Sequence, residues 1–188
     1  MLIYVVRHGE SENNLRKRWT GWSDVHLTDK GKEDAEKAGE YLKSISFDKV
    51  FASDLIRAVE TVGIALPGHS YETSTDLREI NAGTLTDKPL SIVPYEEKEN
   101  IQKYGYVDHD GESKEQLQSR IRRVMNELET LNCERVALFT HAGWMMGMLD
   151  EVLGTFLLRK HVRCNNCAIG IFEFTNGIWK LHSWINLT

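Results

Sequence analysis

Leu2-Ile3-Tyr4-Val5-Val6 runs straight into Arg7-His8-Gly9-Glu10-Ser11. An unbroken, mostly β-branched apolar run of this length predicts a strand buried on both faces. A buried strand ending in Arg-His-Gly places a cation, an imidazole and a flexible backbone at the carboxyl edge of a sheet, where open α/β folds bind their ligands. Arginine offers a planar fork that suits phosphate. Histidine serves as nucleophile, acid, base or metal ligand. Gly9 lets the backbone approach a ligand closely. Ser11-Glu12-Asn13-Asn14 predicts a helical turn whose amides would add to an anion site.

Downstream, strand and helix signals alternate. Thr28 is placed to cap a helix running to about Ser44, with Ala35, Ala38, Tyr41, Leu42 and Ile45 on one stripe. Lys49-Val50-Phe51-Ala52 is a short strand. A helix follows, capped by Ser53 or Asp54, with a buried stripe of Leu55, Val59, Val62 and Leu66. Arg57 lies off that stripe in the first turn, near the sheet edge. Leu77-Arg78-Glu79-Ile80 supplies a carboxylate suited to proton transfer onto a leaving oxygen. Residues 81–110, with Pro89, Pro94 and Gly105, predict a lid with one short helix, in which Lys88, Lys98, Lys103 and Tyr104 are candidate contacts.

Ser113 to Gln116 has capping-box spacing and opens an amphipathic scaffold helix carrying Leu117, Ile121, Val124, Leu128 and Leu131. Arg135 to Phe139 is a strand. It ends in Thr140-His141-Ala142-Gly143, a second strand-end histidine with a helix starting just beyond. Asn176-Gly177 between two strand-like runs signals a hairpin, an antiparallel edge. Together these elements predict a single α/β domain over residues 1–188. Its mostly parallel mixed sheet would be covered by helices on both faces as a three-layer α/β/α sandwich.

Composition narrows the function. A net charge of −5 over 188 residues argues against nucleic acid or an anionic membrane as partner, so an anionic substrate must be drawn by a local cationic cluster. No apolar run approaches the ~20 residues of a membrane span, and the N-terminus lacks a secretory pattern. Three cysteines cannot all pair within one chain, and a reduced, cytoplasmic protein is expected. Cys164-Asn165-Asn166-Cys167 has no second pair to complete a zinc site, so no metal is expected there.

Arg7-His8-Gly9-Glu10-Ser11 with Asn14 resembles the signature of the histidine phosphatase superfamily, which includes the cofactor-dependent phosphoglycerate mutases. Ser53-x-x-x-Arg57-Ala58-x-x-Thr61, Leu77-Arg78-Glu79-Ile80 and Thr140-His141-Ala142 resemble the family's other motifs, in the family's order. The resemblance implies a phosphoglycerate mutase-like fold and a site of Arg7, His8, Arg57, Glu79 and His141. It implies substrate contacts from Asn14, Thr20, Gly21 and Ala142, the last at a position more often glycine. It also implies a phosphohistidine on His8 with Glu79 as acid and base, no cofactor, and a small phosphorylated metabolite as substrate.

Three readings follow: a phosphatase, a mutase, or a non-catalytic binder of phosphorylated ligands. The nucleophile and the acid are both present, which disfavours the binder. In the mutases the acid is followed by Arg-His-Tyr-Gly, whereas Glu79 is followed by Ile80-Asn81-Ala82-Gly83, and hydrolysis is favoured. Leu77 to Ile80 also resembles the α-ribazole phosphatases, but their Phe-Gly continuation is absent. Oligomeric state does not follow from the sequence.

Overall fold

The computed structural model describes residues 1–155 and 161–187. Among these, six strands form one sheet: β1 (Leu2–Arg7), β2 (Lys49–Ser53), β3 (Glu72–Ser74), β4 (Arg135–Thr140), β5 (Ile169–Thr175) and β6 (Ile178–Ile185). Their spatial order is β3-β2-β4-β1-β5-β6. The first four are parallel; β5 runs antiparallel to β1, and β6 antiparallel to β5. Asn176 and Gly177 both have positive φ, the backbone a two-residue hairpin demands.

The helices are α1 (Glu12–Leu15), α2 (Asp29–Leu42), α3 (Ile56–Ala65), α4 (Tyr95–Tyr104), α5 (Lys114–Glu129) and α6 (Ala142–Leu153). None is long and apolar enough to cross a membrane among the described residues. The central strand explains the layering. Ile3 and Val5 of β1 pack with α5 and α6 through Leu117, Ile121, Trp144 and Met145. Tyr4 and Val6 point the other way, into Ala35, Ala38 and Leu42 of α2 and Val62 of α3. The period of two along β1 thus feeds two cores, which is why its sequence is apolar throughout.

Local signals placed most helix starts. Thr28 Oγ1 accepts from the Gly31 amide, and Ser113 and Gln116 form the expected reciprocal capping box on α5. The start of α3 differs from expectation. Its N-cap is Leu55, without a side-chain cap, because Ser53 Oγ accepts from the Leu55 amide and Asp54 is bound to Arg78. Sequence reading also missed β3. It is a three-residue, mostly exposed edge strand without an apolar face to betray it. Residues 81–110 form three single-turn 3-10 segments around α4. Leu85, Val93, Ile101 and Tyr106 anchor them to the core on the α5/α6 side.

Candidate active site

Arg7 and Thr140 are register partners at the carboxyl ends of adjacent strands β1 and β4. His8 and His141 therefore leave the sheet side by side, with ring centroids 5.1 Å apart. Both are buried. His8 Nδ1 lies 2.6 Å from the Gly9 carbonyl oxygen. That oxygen only accepts, so Nδ1 carries the proton. Arg57 Nε–H donates to His8 Nε2 at 3.3 Å. The imidazole is thus held in the tautomer whose Nε2 lone pair faces the cations. Burial, then Arg57 and Arg7, push its pKa well below the ordinary 6.5.

His141 is also held neutral, chiefly by burial and then by Arg57. Neither of its ring nitrogens has a hydrogen-bond partner among the described residues, although both are buried. A buried polar pair of this kind is costly unless a ligand completes it. Arg57 is fully buried. Its Nη1 donates to the Ser23 carbonyl at 2.8 Å and Nη2 to the Gly21 carbonyl at 2.9 Å. Burial pulls its guanidinium down to about 10, which leaves it cationic at neutral pH. Arg7 Nη1 donates to the Cys164 carbonyl at 2.5 Å.

Glu79 faces this cluster from the loop after β3. Its Oε1 accepts from its neighbour Ile80 N at 2.9 Å, and Oε2 from Gly143 N at 3.1 Å. The Gly143 amide, near the start of α6, is therefore committed to the carboxylate. The α1 turn is likewise committed in part. Ser11 Oγ accepts from the Asn14 amide, and Asn14 Oδ1 accepts from Ser11 N and Asn166 Nδ2.

A cavity of about 370 Å³ reaches the cluster at Arg7 and Glu79 and is also lined by Asn14, Thr20, Gly21 and Ala142, whereas the buried His8, Arg57 and His141 are not among its lining residues. Asn14, Thr20, Gly21 and Ala142, the substrate contacts that the family resemblance implies, all line it. Trp19, Leu90, Ile101 and Tyr106 form its apolar wall. Of the four lid candidates, Lys98 lines it and Lys88, Lys103 and Tyr104 do not.

The family profile of the histidine phosphatase superfamily, branch 1, matches residues 3–187. The chain belongs to the histidine phosphatase superfamily. Among curated relatives of this chain, the probable phosphoglycerate mutase of Citrobacter koseri is 29% identical, covering 97% of this chain and 89% of the relative. Its Proteus mirabilis counterpart is 28% identical over the same shares. The fold matches a phosphoserine phosphatase mutant from Entamoeba histolytica in complex with phosphoserine, with a TM-score of 0.85 at 21% identity, covering 99% and 97% of the two chains. It matches a putative α-ribazole-5′-P phosphatase from Escherichia coli with a TM-score of 0.87 at 21% identity, covering 100% and 97%.

Several residues hold the site in place through bonds that no sequence pattern predicts, although Thr61 belongs to the Arg57 motif. Thr61 Oγ1 accepts from the Gly9 amide and donates to the Arg57 carbonyl, tying the two motifs together. Trp22 Nε1 donates to the Glu79 carbonyl at 2.6 Å. Asn166 Nδ2 donates to the His8 carbonyl. These are bonds between side chains and distant backbone, which leave no periodicity in the sequence.

Two expectations follow from this geometry. A Cβ on Gly143 would lie 2.2 Å from Glu79 Oε1. Gly143→Ala should displace the carboxylate and lower kcat by about 10- to 100-fold, within the range general acid–base catalysis supplies. Alanine favours helix over glycine, so the thermal midpoint should not fall. A large drop in the midpoint with kcat unchanged would contradict this placement.

The second concerns acid stability. His8 and His141 stay neutral when folded and protonate near 6.5 when unfolded. Below that pH the unfolded state binds more protons. Stability is therefore complete above pH 6.5 and falls as pH drops, by up to about 1.4 kcal/mol per pH unit for each ring. Urea unfolding between pH 7.5 and 5.5 should show a steeper loss for wild type than for a His8→Asn/His141→Asn double variant. Parallel curves would refute it.

Proposed function

We propose that this protein is a phosphatase that hydrolyses small phosphate monoesters through a phosphohistidine on His8. The observation that carries the reading is the fixed His8 tautomer, whose Nε2 lone pair faces Arg57 beside Arg7. The phosphoryl group docks between Arg7, Arg57 and His141, whose unpartnered ring nitrogens supply a donor. His8 Nε2 attacks phosphorus in line as the ester oxygen departs. The guanidinium groups meet the charge on the equatorial oxygens with dipoles already in place. Glu79 protonates the departing alkoxide, then takes a proton from the water that attacks the phosphohistidine. Phosphate leaves and His8 is regenerated. Arginine meets the charge, so excess chelator should leave the rate unchanged.

The mutase reading is favoured by the names of the curated relatives. Against it stands the run after Glu79, Ile80-Asn81-Ala82-Gly83, which is uncharged where the mutases carry Arg-His; besides Arg7, the cations lining the cavity are Arg18 and Lys98. The deciding experiment offers the protein a panel of monoesters that includes 3-phosphoglycerate and follows both free phosphate and 2-phosphoglycerate. Phosphate release without isomer formation supports hydrolysis. Isomer formation outpacing release would overturn it.

A further inference from the structure

The general acid–base group of a phosphohistidine cycle must serve two positions in turn, the leaving oxygen and then the attacking water. Its loop must therefore be fixed. The loop carrying Glu79 has no strand or helix of its own after the short 3-10 turn at Thr75–Leu77. It is held instead by two buried, charged residues of a neighbouring segment. Arg120 of α5 and Glu112, just before it, form a bidentate pair, with both nitrogen–oxygen distances 2.7 Å. Both side chains are at least nine-tenths buried.

The remaining donors and acceptors of the pair go to the acid loop. Arg120 Nη1 donates to the Asp76 carbonyl at 2.8 Å and the Arg78 carbonyl at 3.0 Å. Arg120 Nη2 donates to the Glu79 carbonyl at 3.3 Å. Glu112 Oε2 accepts from the Asn81 amide at 3.1 Å, and the Glu112 amide donates to the Asn81 carbonyl at 2.9 Å. The loop is thus gripped on both sides of Glu79. Neither partner lines the cavity that Arg7 and Glu79 border.

A buried ion pair is a poor device for stability, since the desolvation of two charges offsets much of their attraction. It is a good device for geometry, because a planar fork paired with a carboxylate fixes direction as well as distance. We infer that Arg120 and Glu112 are positioning residues that set the reach of Glu79, so that α5, expected to be scaffold alone, tunes both proton transfers. This inference rests on the hydrolytic reading above.

Arg120→Lys keeps the charge and loses the fork; Glu112→Gln keeps the shape and loses the charge. Each is compared with wild type on p-nitrophenyl phosphate, whose leaving group needs little protonation, and on 3-phosphoglycerate, whose alkoxide needs much. Expected with p-nitrophenyl phosphate is a retained burst of nitrophenolate, accumulation of phosphohistidine, and a steady-state rate about 10- to 100-fold lower. Expected with 3-phosphoglycerate is a larger loss, in kcat rather than KM. In a Glu79→Gln background Arg120→Lys should add little further loss, because the group it positions is gone.

Equal losses on the two esters, or full additivity with Glu79→Gln, would overturn the inference. If Arg120→Lys does not fold, Glu112→Gln carries the same comparison, and Trp22→Phe removes the other bond to the Glu79 carbonyl. A wild-type protein that forms no phosphohistidine would instead overturn the hydrolytic reading, an outcome read before any variant is made.

Discussion

His8→Ala is expected to abolish phosphate release from every monoester, a loss of about 10⁴-fold or more, as for other removed nucleophiles. No neighbouring group can take over. The His141 ring centroid lies 5.1 Å from that of His8, and in the proposed site His141 holds the phosphoryl group rather than attacking it. Cys167 is buried, and burial pushes its thiol up to about 12, so it supplies no thiolate at neutral pH. Arg7 and Arg57 keep their carbonyl anchors in the variant, and the anion site should survive. Inorganic phosphate should therefore still bind His8→Ala, while intact-protein mass spectrometry should lose the phosphoryl adduct seen in wild type. Release that persists in the variant would sink the phosphohistidine route. Loss of phosphate binding together with activity would point to a collapsed site rather than a missing nucleophile.

The strand-end motifs were the legible part of this site. Arg7-His8 and His141 follow runs apolar enough to be central strands, and parallel register then forces the two histidines together. The layers were equally legible, because β1 and the helices facing it bury their stripes as their periods dictate. Arg57 shows where such reasoning stops. A pattern of apolar positions places it off the hydrophobic stripe and near the sheet edge, but does not show that the side chain is fully buried and held by carbonyls of residues 21 and 23. A charged residue inside a fold is recognised by its partners, and those partners are backbone oxygens of a loop with no signature. The same holds for Arg120, which occupies a buried position on α5 next to Leu117 and Ile121. Its role depends on the carbonyls of three loop residues, Asp76, Arg78 and Glu79, some forty positions earlier in the chain.

Asp54 and Arg78 illustrate a different limit. The sequence offers several partners for each. The fold selects the bidentate pair between them, at 2.7 and 2.5 Å, which holds the Asp54 carboxyl below its usual range. Arg78 then lies over the Trp22 ring at 4.9 Å, and Trp22 donates to the Glu79 carbonyl. A pair that looks like surface decoration thus buttresses the acid loop through Trp22, whose indole shares the Glu79 carbonyl with Arg120. Only the three-dimensional arrangement separates it from an exposed pair worth little.

Glu79→Gln should lower steady-state turnover by about 10²- to 10⁴-fold, the range proton transfer by a positioned side chain supplies. The substitution is nearly isosteric, but it does more than remove a proton. Both carboxylate oxygens accept backbone N–H bonds, from Ile80 and from Gly143. A glutamine has one oxygen for these two donors and would set its own N–H₂ against the other. The amide should therefore turn away from one partner, and its cost in stability should stay near the ~1 kcal/mol of a lost hydrogen bond. The two chemical steps separate the roles. Formation of the phosphohistidine from p-nitrophenyl phosphate needs little acid and should survive as a burst of nitrophenolate. Its hydrolysis needs the base and should stall, so the phosphorylated protein accumulates. Rapid quenching during the first turnovers reads both quantities at once. A variant that neither bursts nor accumulates phosphohistidine would place Glu79 in substrate binding, whereas unchanged turnover would remove it from the chemistry and leave the carboxylate as a cap on α6.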